Sequence, residues 1–154
     1  MEVKGEQIRK ELTDMGFKTI VLWDNNYFCP SEDWLKGEFS PYLWHHKPVM
    51  NEVKYNCKNI SRWAVVQADD CFRISKVVPD GVGAHSFGQV GLRVGFGMDL
   101  NGIYADGFTT CHSTNIVRLN SGIWMFYESQ NQTYRPALEA CNDGSIGELL
   151  YAIL

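Results

Sequence analysis

Cys57, His112, Glu128 and Gln130 are the residues of this chain whose types and order could carry covalent chemistry. A cysteine is nucleophilic as thiolate, and the positive end of a helix favours that form. An imidazole within reach can hold the proton as a general base, and a carboxylate or amide can fix the ring in one tautomer. Asn56 is a good helix cap, so Cys57 falls in the first turn of the helix it opens. His112 opens an extended run through Leu119. Asn120-Ser121-Gly122 then turns it, and Ile123 to Asn131 returns as the second strand of a hairpin. Glu128 and Gln130 close that strand, and strict alternation predicts both on one face. Each residue also has a plainer use. A free cysteine is most often a small buried hydrophobe, a histidine can bond backbone, and Glu128 can be a solvated strand end.

Three further residues suit ligand contact. Asn115 lies three positions after His112, on the opposite side of a regular strand. Trp44 sits in an aromatic stretch with Tyr42, His45 and His46. His85 stands among glycines in Gly83-Ala84-His85-Ser86-Phe87-Gly88 and could line a pocket. The His45-His46 pair alone does not make a metal site. Cys111 and His112 are neighbours, but successive strand residues point to opposite faces, so they are not a dyad.

The elements that position these residues follow from periodicity. Glu6 to Met15 is predicted helical, with Ile8, Leu12 and Met15 on one face and Gly16 as the stop. Lys18 to Trp23 reads as a strand turned by Asp24-Asn25-Asn26. Ser31 caps a short helix to about Glu38, and Ser40 to Pro48 reads as a loop. The Cys57 helix buries a stripe of Ile60, Ala64, Ala68, Cys71 and Ile74, and Pro79-Asp80-Gly81 ends that segment. From His85 the chain turns to β-structure: Phe87, Val90, Leu92, Val94 and Phe96 among glycines, a turn at Leu100-Asn101-Gly102-Ile103, then the hairpin from Gly107. Asn142-Asp143-Gly144 is another turn, and Ile146 to Leu154 a last strand or helix. Helices first and strands later predict an α+β domain, with N-terminal helices packed on an antiparallel sheet, over residues 1–154 as one unit.

Composition narrows the function. The 154 residues are 45% hydrophobic, enough for a substantial core, and five Trp, seven Tyr and eight Phe are enough for both core and groove. A net charge of −4 argues against non-specific nucleic-acid binding. The five cysteines form no C-x-x-C pair, so free thiols in a reducing cytosol are expected rather than zinc or a disulfide framework. No signal peptide and no membrane-length apolar run is read. No P-loop, H-E-x-x-H, G-x-S-x-G or dinucleotide fingerprint occurs, and no cofactor or metal is expected.

The Cys-helix and His-strand layout is that of papain-like and transglutaminase-like folds. The stretch from Tyr55-Asn56-Cys57 through His112-Ser113-Thr114-Asn115 to Tyr127-Glu128-Ser129-Gln130 resembles small phage-encoded domains labelled lectin-like. In that family a Cys opens a helix, a His-x-x-Asn strand follows, and Glu-Pro-Gln closes the hairpin. Bacterial transglutaminase-like cysteine peptidases share the outline. The resemblance spans roughly Leu22 to Leu138 and implies a papain-like or transglutaminase-like domain of phage type, in the host cytosol. The chain departs from it at Lys58-Asn59, where an acidic residue is usual, and at Ser129 in place of Pro. Two functions follow. One is a module binding a small molecule, sugar or host protein around His112, Asn115, Gln130 and Trp44. The other is a cysteine hydrolase or acyl transferase with Cys57 as nucleophile, His112 as base, and Glu128 or Gln130 orienting the ring. The missing acidic neighbour of Cys57 tips the sequence reading towards binding, and closeness of Cys57 to His112 separates the two.

Overall fold

A computed structural model of the chain describes residues 1–46, 57–79, 83–94 and 111–154. Its centre is a six-stranded sheet in the order β2-β8-β4-β5-β6-β7. The strands are β2 (Thr19–Val21), β4 (Phe87–Val94), β5 (Cys111–Arg118), β6 (Trp124–Glu128), β7 (Thr133–Pro136) and β8 (Ile146–Ile153). All neighbours run antiparallel except β2 and β8, which are parallel. The sheet is therefore mixed rather than antiparallel. A lone strand that leaves a helix and enters beside the last strand is free to run either way. A separate two-stranded ribbon joins β1 (Glu2–Lys4) to β3 (Asn26–Phe28).

Both faces of the sheet are covered. On one, Val90, Leu92, Ile116 and Phe126 meet Ile8 and Leu12 of α1 (Gly5–Met15) and Ala137 and Ala140 of α4 (Ala137–Asn142). On the other, Phe87, Val117, Met125 and Tyr127 meet Ala64, Ala68 and Cys71 of α3 (Cys57–Ile74). Trp34, Phe39 and Leu43 complete that second core. Alternation along β5 and β6 sorts the side chains: even numbers to the first core, odd to the second. The α+β class holds, but the helices are not confined to the N-terminal half, since α4 follows β7.

Gly16 ends α1 at φ 111°, a left-handed cap whose amide reaches the Leu12 and Thr13 carbonyls. Two expectations in the next stretch fail. The helix capped by Ser31 is a π-helical turn, Trp34–Phe39, although the Ser31 hydroxyl does accept the Trp34 amide at 3.2 Å. Five-residue spacing stacks Trp34 on Phe39, with centroids 5.0 Å apart, and buries both. The predicted loop from Ser40 is helix α2 (Ser40–His46). Its aromatic residues hide the pattern, because only Leu43 is buried. On α3, Ile74 is 64% exposed and Phe72 takes its place in the core.

The hairpin forms as expected, with Gly122 at φ 88° in its tip. The last apolar segment is a strand, β8. Expectations for Lys47, Pro48, Asn56, Asp80, Gly81, Phe96, the turn at 100–103 and the strand start at 107–110 lie outside the described residues.

Candidate active site

Polar side chains hold the first turns of α3 against β4 and β5. Asn115 Nδ2 donates to the Ser61 and Gly88 carbonyls at 2.8 and 3.0 Å, and its Oδ1 accepts the Ser129 hydroxyl at 2.6 Å. Gln89 Nε2 reaches Ser61 Oγ and Ser113 Oγ, both at 2.9 Å, and the Lys58 carbonyl at 3.3 Å. Asn115 and Ser61 are buried, and Gln89 and Ser113 nearly so. A buried amide with every polar atom bonded fixes position more firmly than an apolar contact does. These bonds set where the helix begins, and hence where Cys57 stands.

Cys57 meets His112 there. Its half-buried thiol feels the His112 side chain and the backbone of Ser113 and Lys58. His112 Nε2 bonds Glu128 Oε2 at 2.6 Å. Both His112 and Glu128 are 2% exposed. The other oxygen of Glu128 accepts the Gln130 amide at 3.2 Å, which steadies the carboxylate. Burial opposes charge on Cys57, but the His112 bond and the two backbone bonds outweigh it and pull the thiol below its usual pKa. Burial likewise opposes charge on His112, while its bonds to Cys57 and Glu128 lift it to about 9. Both shifts run towards a thiolate–imidazolium pair. Cys71 shows the contrast: burial without such a partner pushes it up to about 12.

Other predicted site residues fall elsewhere. Gln130 is not a strand residue on the face of Glu128. β6 ends at Glu128, alternation ends with it, and Gln130 enters a turn where its backbone holds the carboxylate. Asn115 has no exposed surface, and its amide is committed to the protein, so it braces α3 rather than meeting a ligand. His85 is packed between Phe72 and Phe87, with Nε2 2.8 Å from Asp69, three turns along α3 from Cys57. Trp44 projects from α2 with 57% of its surface exposed. Ser61, Gln89, Ser113 and Ser129 went unrecognised from sequence. For Gln89 and Ser113 the signal was a polar residue at an odd position of a strand whose odd face is core. Among the described residues, no group of three His, Cys, Asp or Glu side chains could hold a metal ion, and no helix is long and apolar enough to cross a membrane.

Solved structures share this fold. A chain from a PSL1a–E64 complex superposes with TM-score 0.64 at 16% identity, covering 99% of this chain and 50% of its own. Polyporus squamosus lectin, bound to the human-type influenza-binding epitope Neu5Acα2-6Galβ1-4GlcNAc, superposes with TM-score 0.55 at 15% identity, covering 97% of this chain and 49% of its own. The chain thus spans about half the length of each of these lectin structures. No protein-family model and no curated protein matches it.

Proposed function

We propose that the chain is a cysteine-dependent hydrolase or acyl transferase on a papain-like or transglutaminase-like scaffold. The observation that carries this is the Cys57–His112–Glu128 cluster, in which a Glu128-bonded His112 helps pull the thiol below its ordinary pKa. In this reading the thiolate attacks an acyl carbon and forms a tetrahedral oxyanion. The amides of the first turn of α3, which have no intrahelical acceptor, stabilise it. The His112 imidazolium gives its proton to the leaving group, leaving an acyl-enzyme. His112 then takes a proton from water, or from another acceptor nucleophile, and the second attack frees the thiol. Glu128 holds the ring through Nε2. A reducing cytosol of the kind the phage resemblance implies would keep Cys57 reduced.

The test is mass-spectrometric mapping of iodoacetamide labelling from about pH 5 to 9, on wild type and His112→Ala. The expected result is selective labelling of Cys57 at the acid end, lost in the variant. E64, an epoxide that alkylates thiolates, should mark the same residue. A Cys57 that labels no faster than Cys111, the exposed cysteine, would sink the proposal.

A second reading is sugar binding, favoured by the likeness to a lectin chain bound to a sialylated glycan. Calorimetry with Neu5Acα2-6Galβ1-4GlcNAc tests it on the Cys57→Ala chain. Saturable heat would support a lectin-type site, and its absence would leave the thiol chemistry alone.

A further inference from the structure

A pocket of about 660 Å³ opens beside the first two turns of α3. Thr19 and Val21 of β2, Gln89 of β4, Tyr151 of β8, and Lys58 and Arg62 of α3 line it. Its lining includes residues next to those around Cys57. Lys58 is the residue after Cys57, and Gln89 bonds Ser113, whose backbone also bonds the sulfur. The Tyr151 ring lies over Gly91, where an added Cβ would come within 2.1 Å of it, and its hydroxyl is 3.5 Å from Ser113 Oγ. Any side chain at position 91 would displace the ring from the pocket wall.

The charges in this pocket run against the fold's own interest. Lys58 and Arg62 are four residues apart on one helix, where like charges repel. They also sit in the first two turns, near the positive end of the helix, and the first turn carries no acidic residue. Among the described residues neither cation has a carboxylate at ion-pair distance, although the chain as a whole carries −4. Both side chains are exposed, so neither is needed to fill a core. Two unpaired cations kept at a site that disfavours them, beside a nucleophile, make an electropositive cleft that concentrates anions. This also accounts for Lys58 standing where the resembling family has an acidic residue: an acid there would repel what the pocket attracts.

We infer that this pocket receives a carboxylate of the substrate, so that the acyl group attacked by Cys57 belongs to an acidic peptide with Asp or Glu next to the scissile bond. The inference rests on the thiol-enzyme reading and assigns its substrate class. Lys58 and Arg62 would hold the carboxylate, with the Tyr151 hydroxyl as a neutral donor at the pocket wall. No bond changes here. The pocket only sets which acyl carbon lies against sulfur.

Alkylation rates test this without turnover. Iodoacetate carries a carboxylate that iodoacetamide lacks. The ratio of their rate constants at Cys57 is compared between wild type and Lys58→Gln/Arg62→Gln, whose exposed sites tolerate the change. The His112 charge is common to both proteins and cancels. The expected result is a ratio about threefold to fivefold lower in the variant, with the difference shrinking in high salt. A Cys57 that reacts well with both reagents at a ratio indifferent to the substitutions overturns the anion pocket and leaves the thiol-enzyme reading standing. A Cys57 that reacts with neither overturns both. As a check on identity, a Glu-containing decapeptide should protect Cys57 from iodoacetamide better than its Gln counterpart. Equal protection, or none from either, overturns the acidic-peptide assignment.

Discussion

His112 and Arg118 stand on the same strand, and each binds a carboxylate, His112 one from the next strand and Arg118 one from the first helix. They do opposite work. Arg118 grips Glu11 of α1 through Nε and Nη2 at 2.7 and 3.0 Å, and Trp124 Nε1 and Gln7 Nε2 add bonds at 2.8 and 2.9 Å. Every lone pair facing inward is used, and a guanidinium does not give up its proton. That cluster is a fastener between α1 and the sheet. The His112 cluster has the same parts with two changes. Its cation titrates, and one side of it ends on sulfur rather than on a second acceptor. A buried charge pair becomes reactive when one bond is made to a nucleophile and the proton can move.

The largest effect that separates the two is Cys57→Ser. Turnover of an acyl substrate should fall by about 10³-fold or more, while the melting temperature, followed by circular dichroism, stays within about 3 °C. A large loss of stability would mean that Cys57 is chiefly packing. Glu11→Gln should do the reverse. It leaves Arg118 buried without its carboxylate and costs about 3 kcal/mol, lowering the melting temperature by about 6–12 °C. Cys57 alkylation in the folded protein should be unchanged. If it slows, the two clusters are coupled through β5.

Glu128→Gln sharpens the contrast from inside the site. The Glu128 bond helps lift His112 to about 9, so its removal lowers that value. The basic limb of the kcat/KM profile should then move to lower pH, with rates down about 10- to 100-fold. An unmoved limb would remove Glu128 from the relay. The smallest effect is the pH dependence of the fastener. Burial raises the Glu11 pKa, but its bonds to Arg118, Gln7 and Trp124 outweigh this and hold it below the usual carboxylate range. A depressed carboxylate contributes stability above its unfolded pKa and loses it as pH falls through the folded one. Denaturant curves of wild type and Glu11→Gln should therefore converge as the pH drops below about 4. Curves that stay parallel would show that Glu11 acts by packing.

The His112 cluster was the more legible of the two regions. Cys57 at a helix start, His112 opening a strand and Glu128 closing the next are local signals, each readable from a cap, a turn or an alternation. The Glu11–Arg118 pair is invisible in sequence, because 107 positions separate its members and nothing local marks either one. Gln130 was misjudged for a related reason: alternation predicts a face only while the strand lasts. Helix α2 was read as a loop because its rings mostly face outward, so no apolar stripe announces it. The parallel entry of β2 had no sequence signal at all, since direction in a sheet is chosen by the partner.

That parallel entry shapes how the protein must fold. Among the described residues Thr19–Val21 pairs with Tyr151–Ile153, almost the whole chain away, and across the same seam the Trp23 amide donates to the Leu154 carbonyl and the Leu154 amide to the Val21 carbonyl. The earliest strand of the sheet therefore waits for the latest, and β8 then lies between β2 and β4. Such a closure is entropically slow. Until it is made, one wall of the cationic pocket is missing.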